Sequence, residues 1–234
     1  VYKGRHLLNQ NILTAVEQTK GEILVYEGRI ASATYHSSSG GKTDSSQNIW
    51  RGNFYPYLCG VTVYPEAESY DLTTETDAKK WINFKLQTNG MSSWERQSLS
   101  WSKSISRSQL AKNLSLSRIN TIEIVRRGFS GRILSLRFNG DVLLEGEYRI
   151  RQAFGNLPSS FFYIEGNQGR SKDGNPLYTV HETIKLNGKG SGHGVGMCQV
   201  STLQKARAGE NYKDILSTFY PGTEIIDKWL ESYE

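Results

Sequence analysis

Two of the four histidines lie in glycine-rich loops, where an imidazole can reach a ligand. In the segment Tyr35-His36-Ser37-Ser38-Ser39-Gly40-Gly41 a strand end runs into small residues. Successive backbone N–H groups in such a loop can bind a polar or anionic ligand. His36 there reads in either of two ways. It is a general base, an oxyanion donor or a sugar-binding donor, or it is a histidine that ties down a surface loop. Gly192-His193-Gly194-Val195-Gly196-Met197-Cys198-Gln199 sets glycines at alternate positions ahead of a helix expected from about Met197. Glycine lets backbone approach a ligand or another strand closely, and the free N–H groups of the helix start would face the loop. His193 is then placed to act on a ligand or to hold another catalytic group. The bland reading is a tight packing turn with a structural histidine.

Other chemistries are weaker. Gly41-Lys42-Thr43 suggests a phosphate loop, but the glycine that such a loop needs five residues earlier is His36. His36, His193 and Cys198 are zinc-ligand types, yet a buried small Cys198 at a helix start is the favoured reading, so no metal or other cofactor is expected. A Cys198 thiolate activated at a helix N-terminus is a minor alternative. With Cys59 as the second cysteine, a single disulfide or two free thiols are both open. His6 and His181 have no nameable partner, and His181 is expected in an alternating strand facing solvent. Glu66 and Glu68 sit in an acidic loop, and no glycosidase-type carboxylate pair can be singled out.

The elements that would position these loops are short. Residues 21–36 read as a hairpin turning at Glu27-Gly28, and residues 37–47 as an exposed polar loop. Residues 50–64 read as short aromatic strands, and 65–76 as a surface loop. Helices are expected over 77–86 and 104–113. Strands are expected over 120–127, 131–138 and 141–144, with Gly128-Phe129-Ser130-Gly131 as a turn. A helix over 146–154 would bury Tyr148, the stem of Arg151 and Phe154. Strands follow at 161–165 and 178–185. Two helices close the chain. The first has Met197, Val200, Leu203 and Ala206 on one face and stops at Gly209. Asn211 caps the second, which buries Ile215, Leu216 and Phe219. The fold class expected is α+β: a mixed, strand-rich domain with a C-terminal helix pair and an inserted subdomain.

Composition sets outer bounds. With 37% hydrophobic and 22% charged residues, a buried core is feasible and wholesale disorder is not. The net charge of +5 suits an anionic partner, whether nucleic acid, a membrane surface or an acidic cell wall, but charge alone favours a mildly basic soluble surface. The basic residues are scattered, and Arg126, Arg127, Arg132 and Arg137 read as the outer face of a hairpin. No nucleic-acid partner is expected. No apolar run approaches the ~18 residues of a membrane span, and no signal peptide is expected within these residues. The opening Val1-Tyr2-Lys3-Gly4 reads as a processed or truncated start. Trp81, Trp94 and Trp101 could form a sugar-stacking surface, with core packing the blander use.

Taken in order, several segments resemble one family. They are Thr19–Leu24, the His36 loop through Thr43, Trp50, Pro56-Tyr57-Leu58, Leu157–Phe162, the His193 motif, and the ending from Ala208-Gly209 to Phe219-Tyr220-Pro221-Gly222-Thr223. They resemble the stage II sporulation protein D and amidase enhancer family. The resemblance implies one domain over 1–64 and 119–226, an inserted subdomain at 65–118 and a tail at 227–234. It implies a lytic transglycosylase that cuts peptidoglycan glycan strands and leaves 1,6-anhydro-muramoyl ends, or a non-catalytic wall-binding or amidase-enhancing module. His36, Ser38, Ser39, Gly40, Gly41, His193, Gly194, Gly196 and Gln199 would line the glycan cleft. The family's catalytic glutamate lies on an early helix in a motif with no counterpart here, so it is expected upstream of Val1. Some relatives hold zinc with ligands upstream of the same point. Cys198 and Val200 depart from the family motif, as does Ser201-Thr202. Expected partners are glycan strands, a missing N-terminal fragment and other wall hydrolases. The expected location is extracytoplasmic: cell wall, periplasm or intermembrane space.

Overall fold

A computed structural model describes residues 9–50, 52 and 54–227. Val1–Gly4, His6 and nearly all of the expected tail lie outside them. The elements begin with α1 (Gln10–Gln18), β1 (Glu22–Tyr26), β2 (Arg29–Ile30), β3 (Tyr35–His36), α2 (Ser46–Trp50) and α3 (Glu75–Asn83). Next come α4 (Ser93–Leu99), β4 (Ser100–Ser106), α5 (Arg107–Asn113), β5 (Thr121–Arg127), β6 (Ile133–Phe138), β7 (Val142–Glu145) and α6 (Glu147–Ala153). The chain ends with β8 (Phe162–Ile164), β9 (Gln168–Arg170), β10 (Pro176–Thr179), β11 (Thr183–Lys189), β12 (Met197–Cys198), α7 (Gln199–Arg207), α8 (Tyr212–Phe219) and β13 (Glu224–Asp227). This mixture of helices and small sheets is the α+β class expected, with its C-terminal helix pair in α7 and α8. Among the described residues, no helix is long and apolar enough to cross a membrane.

Two compact units result: Val1–Ala33 with Gly222–Glu234, and Thr34–Pro221. The first contains α1, capped by the Asn9 side chain accepting from the Ile12 N–H at 3.0 Å, and the antiparallel sheet β13-β1-β2. Glu27-Gly28 makes the expected turn, but the returning strand stops at Ile30.

The second unit has the antiparallel sheet β7-β6-β5-β10-β9, the antiparallel sheet β4-β11-β8 and the parallel pair β12-β3. One apolar core joins Ile122, Ile133, Leu136 and Phe138 of the first sheet to Phe162, Ile184 and Leu186 of the second, with Leu110 of α5 and Ile150 of α6. Each such side chain contributes roughly 1.5–3 kcal/mol on burial. β5, β6 and β7 fall within two residues of expectation, because each combines alternation with a local turn signal.

The departures have local causes. The Ser106 side chain accepts from the Gln109 N–H and starts α5, so residues 100–106 are free to pair with β11 as β4. α4 begins at a Ser92–Glu95 capping box that the sequence reading passed over. α6 buries Glu147, Ile150 and Ala153, while Tyr148 is exposed, because packing on β6 sets its face. Met197 belongs to β12, Leu203 is exposed, and α7 buries only Val200 and Ser201. The expected strand over 178–185 is two strands, β10 and β11, with exposed His181 in the link. Among the described residues of 50–64, Trp50 closes α2 and Thr62 forms an isolated bridge with Lys42.

Two arginines expected on the outer face of a hairpin are interior instead. Arg127 is buried, donating from Nε to Glu75 at 2.8 Å and from Nη2 to the Phe162 carbonyl at 2.8 Å. Glu75 at the start of α3 also accepts from the Tyr178 hydroxyl. A buried cation requires such a partner set, and alternation alone gave no sign of it. Arg132 is fully buried and belongs to the site.

Candidate functional site

The site is built on the parallel pairing of β3 with β12, which sets Cys198 opposite His36. An antiparallel bridge between Ser38 and Ser191 extends the contact, with N–H to O distances of 3.0 and 2.8 Å. The His36 loop therefore lies along the His193 loop. Residues 37–47, expected exposed, contain buried Ser38, Ser39, Lys42, Thr43, Asp44 and Ser46. Their backbone polar groups are met by other chain segments rather than by water: the Asp44 N–H donates to the Gly194 carbonyl at 2.7 Å, and the Thr43 N–H to Val61 at 2.8 Å.

Val195 fixes both histidines. Its carbonyl accepts from His36 Nδ1 at 3.1 Å, and its N–H donates to His193 Nδ1 at 3.1 Å. A carbonyl can only accept and an N–H can only donate, so His36 carries its proton on Nδ1 and His193 on Nε2. Burial, chiefly, holds the His36 pKa well below the usual imidazole range, with Arg132 and His193 adding to it. His193 is lowered to about 4, by burial first and then by Arg132. Both rings are neutral at pH 7. Among the described residues, His36 Nε2 is left buried without a hydrogen-bond partner. The two rings meet edge-on at 5.5 Å between centroids, and Trp50 lies 5.2 Å from His193. Trp50 is 40% exposed and Tyr35 55%, so an aromatic face opens to solvent beside the imidazoles.

Arg132 holds the two loops together. Its guanidinium donates to the Ser39 carbonyl at 3.0 Å and to the Gly192 carbonyl at 3.2 Å. Gly194 has φ +81°, and a Cβ there would stand 2.2 Å from the Arg132 Cζ. The glycine is thus required both by its backbone conformation and by the arginine lying against it. Burial lowers the Arg132 pKa, while Glu147 and Asp44 oppose that shift. Glu147 is itself buried, which raises its pKa. The Asp44 carboxylate accepts from the Ser130 hydroxyl at 2.6 Å and from Asn48 at 2.8 Å, tying the loop to the β5–β6 turn.

All nine residues expected to line a cleft are therefore brought into one region, but most are packed rather than open. Ser38, Ser39, Gly40, Gly41, Gly194 and Gly196 are buried, and Gly41 lies against the Trp81 indole. His193 and Gln199 are half-buried. The close approach that the glycines permit is to other backbone and to Arg132. Sequence reasoning missed Arg132, Asp44 and Glu147. The one available signal was an ionisable residue flanking an apolar strand, as in Gly131-Arg132-Ile133-Leu134.

The cysteines are free thiols, Cys59 exposed and Cys198 buried. Burial pushes the Cys198 thiol pKa up, and its sulfur accepts from the Ser39 N–H at 3.3 Å rather than engaging an imidazole. A thiol held in this way is a poor nucleophile. No group of three or more His, Cys, Asp or Glu able to hold a metal ion occurs among the described residues. Lys42 donates to the Tyr70 carbonyl and lies over the Phe129 ring, and α2 after it is a single short turn, so no phosphate loop forms.

Comparison with known proteins adds the relatives. The chain is 27% identical over 97% of its length to an uncharacterized protein of Brachyspira hyodysenteriae. It is 28% identical over 95% to the amidase enhancer of Bacillus subtilis, and 26% identical over 96% to stage II sporulation protein D of Bacillus amyloliquefaciens. It spans 52%, 33% and 54% of those relatives, respectively. These names support the resemblance drawn from the motifs. A family model described as a domain of unknown function (DUF8618) matches residues 44–196, which hold Asp44, Trp50, Arg132, Glu147, His193 and Val195. That match covers well over half of the sequence, and the chain belongs to the DUF8618 family.

Proposed function

We propose that this chain is the larger, substrate-holding part of a domain that cleaves peptidoglycan glycan strands as a lytic transglycosylase. The observation that carries the reading is the unpartnered, neutral His36 Nε2 beside His193, with the exposed Trp50 ring against that histidine. An exposed indole offers a face to a pyranose, and the neutral nitrogen of His36, a residue 4% exposed, accepts a hydrogen bond from a sugar hydroxyl once the loop over it yields. The relatives named stage II sporulation protein D and amidase enhancer support a role at the cell wall. On this reading the protein acts outside the cytoplasm, with glycan strands and other wall hydrolases as partners.

In the reaction, a carboxylic acid protonates the glycosidic oxygen. The muramoyl 6-hydroxyl then attacks C1, the bond to the leaving sugar breaks, and the hydroxyl proton passes to the base. No water is consumed. Among the described residues no carboxylate hydrogen-bonds to His36 or His193. The acid is therefore assigned to a further part of a longer protein, in keeping with the greater length of the relatives. The same observation favours the second reading, a wall-binding or amidase-enhancing module with no chemistry of its own.

Mass spectrometry of glycan strands incubated with the full-length parent protein tests the choice. New 1,6-anhydro-muramoyl ends, reduced at least about 100-fold by His36→Ala, are expected. No such ends from the unaltered protein, with faster release of peptides by an added amidase, would leave only the second reading.

A further inference from the structure

β4 is an edge of the sheet β4-β11-β8. It pairs with β11 along its full length, from Ser100 opposite Lys189 to Ser106 opposite Thr183. The bonds at its two ends fix which backbone groups are used. The Gly190 N–H donates to the Leu99 carbonyl and the Arg107 N–H to the Glu182 carbonyl, both at 2.9 Å. Backbone groups alternate in direction along a strand. Odd-numbered residues of β4 therefore turn their N–H and C=O toward β11, and even-numbered residues turn theirs away. The N–H and C=O of Ser102 and Ser104 point outward and form no hydrogen bond among the described residues. Ser102, Lys103 and Ser104 are all exposed, so the edge is open to an added strand.

The side chains define which strand fits. Lys103 stands opposite Leu186, between Trp101 and Ile105, on the face that carries the apolar core. Leu186 and Ile105 are buried there, whereas Lys103 is exposed and has no ion-pair partner among the described residues. An inward-pointing lysine at an edge keeps identical strands apart. Two copies pairing antiparallel about Lys103 would set like charges opposite one another, which is destabilising. The same lysine favours a strand with an acid in that place. In an added antiparallel strand the position opposite Lys103 is a non-hydrogen-bonded pair, where side chains come closest, with Cα atoms about 4.5 Å apart. Beside the start of β4, exposed Lys85 and Arg96 line a cavity of about 640 Å³ that Ser100 and Ser102 also border, and this lining carries no carboxylate. Cations thus flank the open edge in two places.

We propose that β4 is a docking edge for an extended, acidic segment of a partner protein, which adds to the sheet as a further strand with a carboxylate opposite Lys103. Its residues opposite Trp101 and Ile105 share the face of that carboxylate and are apolar. Those opposite Ser102 and Ser104 are polar. The inference rests on this edge and stands whether or not the histidine site cleaves glycan.

Fluorescence anisotropy of the purified chain with two labelled heptapeptides provides the test. One is Thr-Val-Thr-Glu-Thr-Val-Thr, and the other has lysine in place of the central glutamate. The acidic peptide is expected to bind at least about fivefold more tightly. Lys103→Glu is expected to reverse that order. Ser102→Pro removes an outward N–H and no β4–β11 bond, and is expected to weaken binding of the acidic peptide about tenfold. Lys103 is exposed, so its variant reports on the edge even if Ser102→Pro does not fold. Undetectable binding, equal binding of the two peptides, or an order that Lys103→Glu leaves unchanged overturns the proposal. So does binding unaltered in a folded Ser102→Pro variant. Self-association of the unaltered chain in sedimentation, lost in Ser102→Pro, overturns it as well, by making a second copy the occupant.

Discussion

At the scale of single residues, one backbone position decides how the histidines behave. Val195 offers a donor to one ring and an acceptor to the other, so His36 and His193 hold opposite tautomers. Both have folded pKa values below the unfolded imidazole value of about 6.5. The unfolded chain therefore binds more protons in mild acid, and stability rises with pH over that window. Stability is expected to be full above about pH 6.5 and to fall as pH drops toward 4, where His193 protonates in the folded state. Urea midpoints measured across this range should show a shallower slope for His193→Gln than for the unaltered chain, and equal slopes would refute the assignment. Gly194 gives a second prediction. Gly194→Ala must strain the backbone at φ +81° and displace Arg132, which together should cost at least about 2 kcal/mol. In an Arg132→Ala background only the backbone part, about 1 kcal/mol, should remain. Additive costs in that double-mutant cycle would mean that the two residues do not touch. The histidines were legible in the sequence because glycine-rich loops announce themselves. Arg132 was not, because its two carbonyl partners lie 93 and 60 residues away along the chain.

At the scale of elements, α4 and α7 are joined through one buried carboxylate. Glu95 completes the α4 capping box by accepting from the Ser92 N–H at 2.8 Å. It also takes two hydrogen bonds from Arg207 in the last turn of α7, at 2.6 and 2.9 Å. The Arg207 hydrogen bonds lower the Glu95 pKa to about 2, against a smaller opposing effect of burial. A depressed carboxylate stabilises the fold above its unfolded pKa, and that contribution is lost as pH falls through the folded one. Glu95→Gln should therefore lower the urea midpoint at neutral pH. The gap from the unaltered chain should stay constant down to about pH 4.5 and close toward about pH 2. A gap independent of pH throughout would show that the carboxylate charge is not what joins the helices. Half of this device is in the local sequence, since Ser92 and Glu95 have capping-box spacing. The other half is 112 residues distant.

For the whole molecule, burial is distributed unevenly. The second unit encloses the apolar core, whereas in the first unit Val25 and Ala31 are the buried apolar residues among those described, and α1 buries none. Local stability follows buried apolar contact. Amide exchange should accordingly be slowest in β5, β6 and β11 and at least about tenfold faster in β1 and β2, despite their comparable hydrogen bonding. Equal protection in the two sets would mean that the units unfold as one. What the sequence determined by itself was local. It carried the β5–β6–β7 meander, the α7–α8 pair with the Gly209 stop and the Asn211 cap, and the two loops with a histidine in each. These follow from alternation, helical spacing and turn chemistry within a dozen residues. Only the tertiary structure decided that most of residues 38–46 are buried, that the glycines face backbone and Arg132, and that one imidazole nitrogen has no partner among the described residues. Those properties arise where β3 meets β12 in parallel, across 159 residues from His36 to Val195. Periodicity carries no information on which distant strands pair, so the environment of each histidine was settled only when the chain closed on itself.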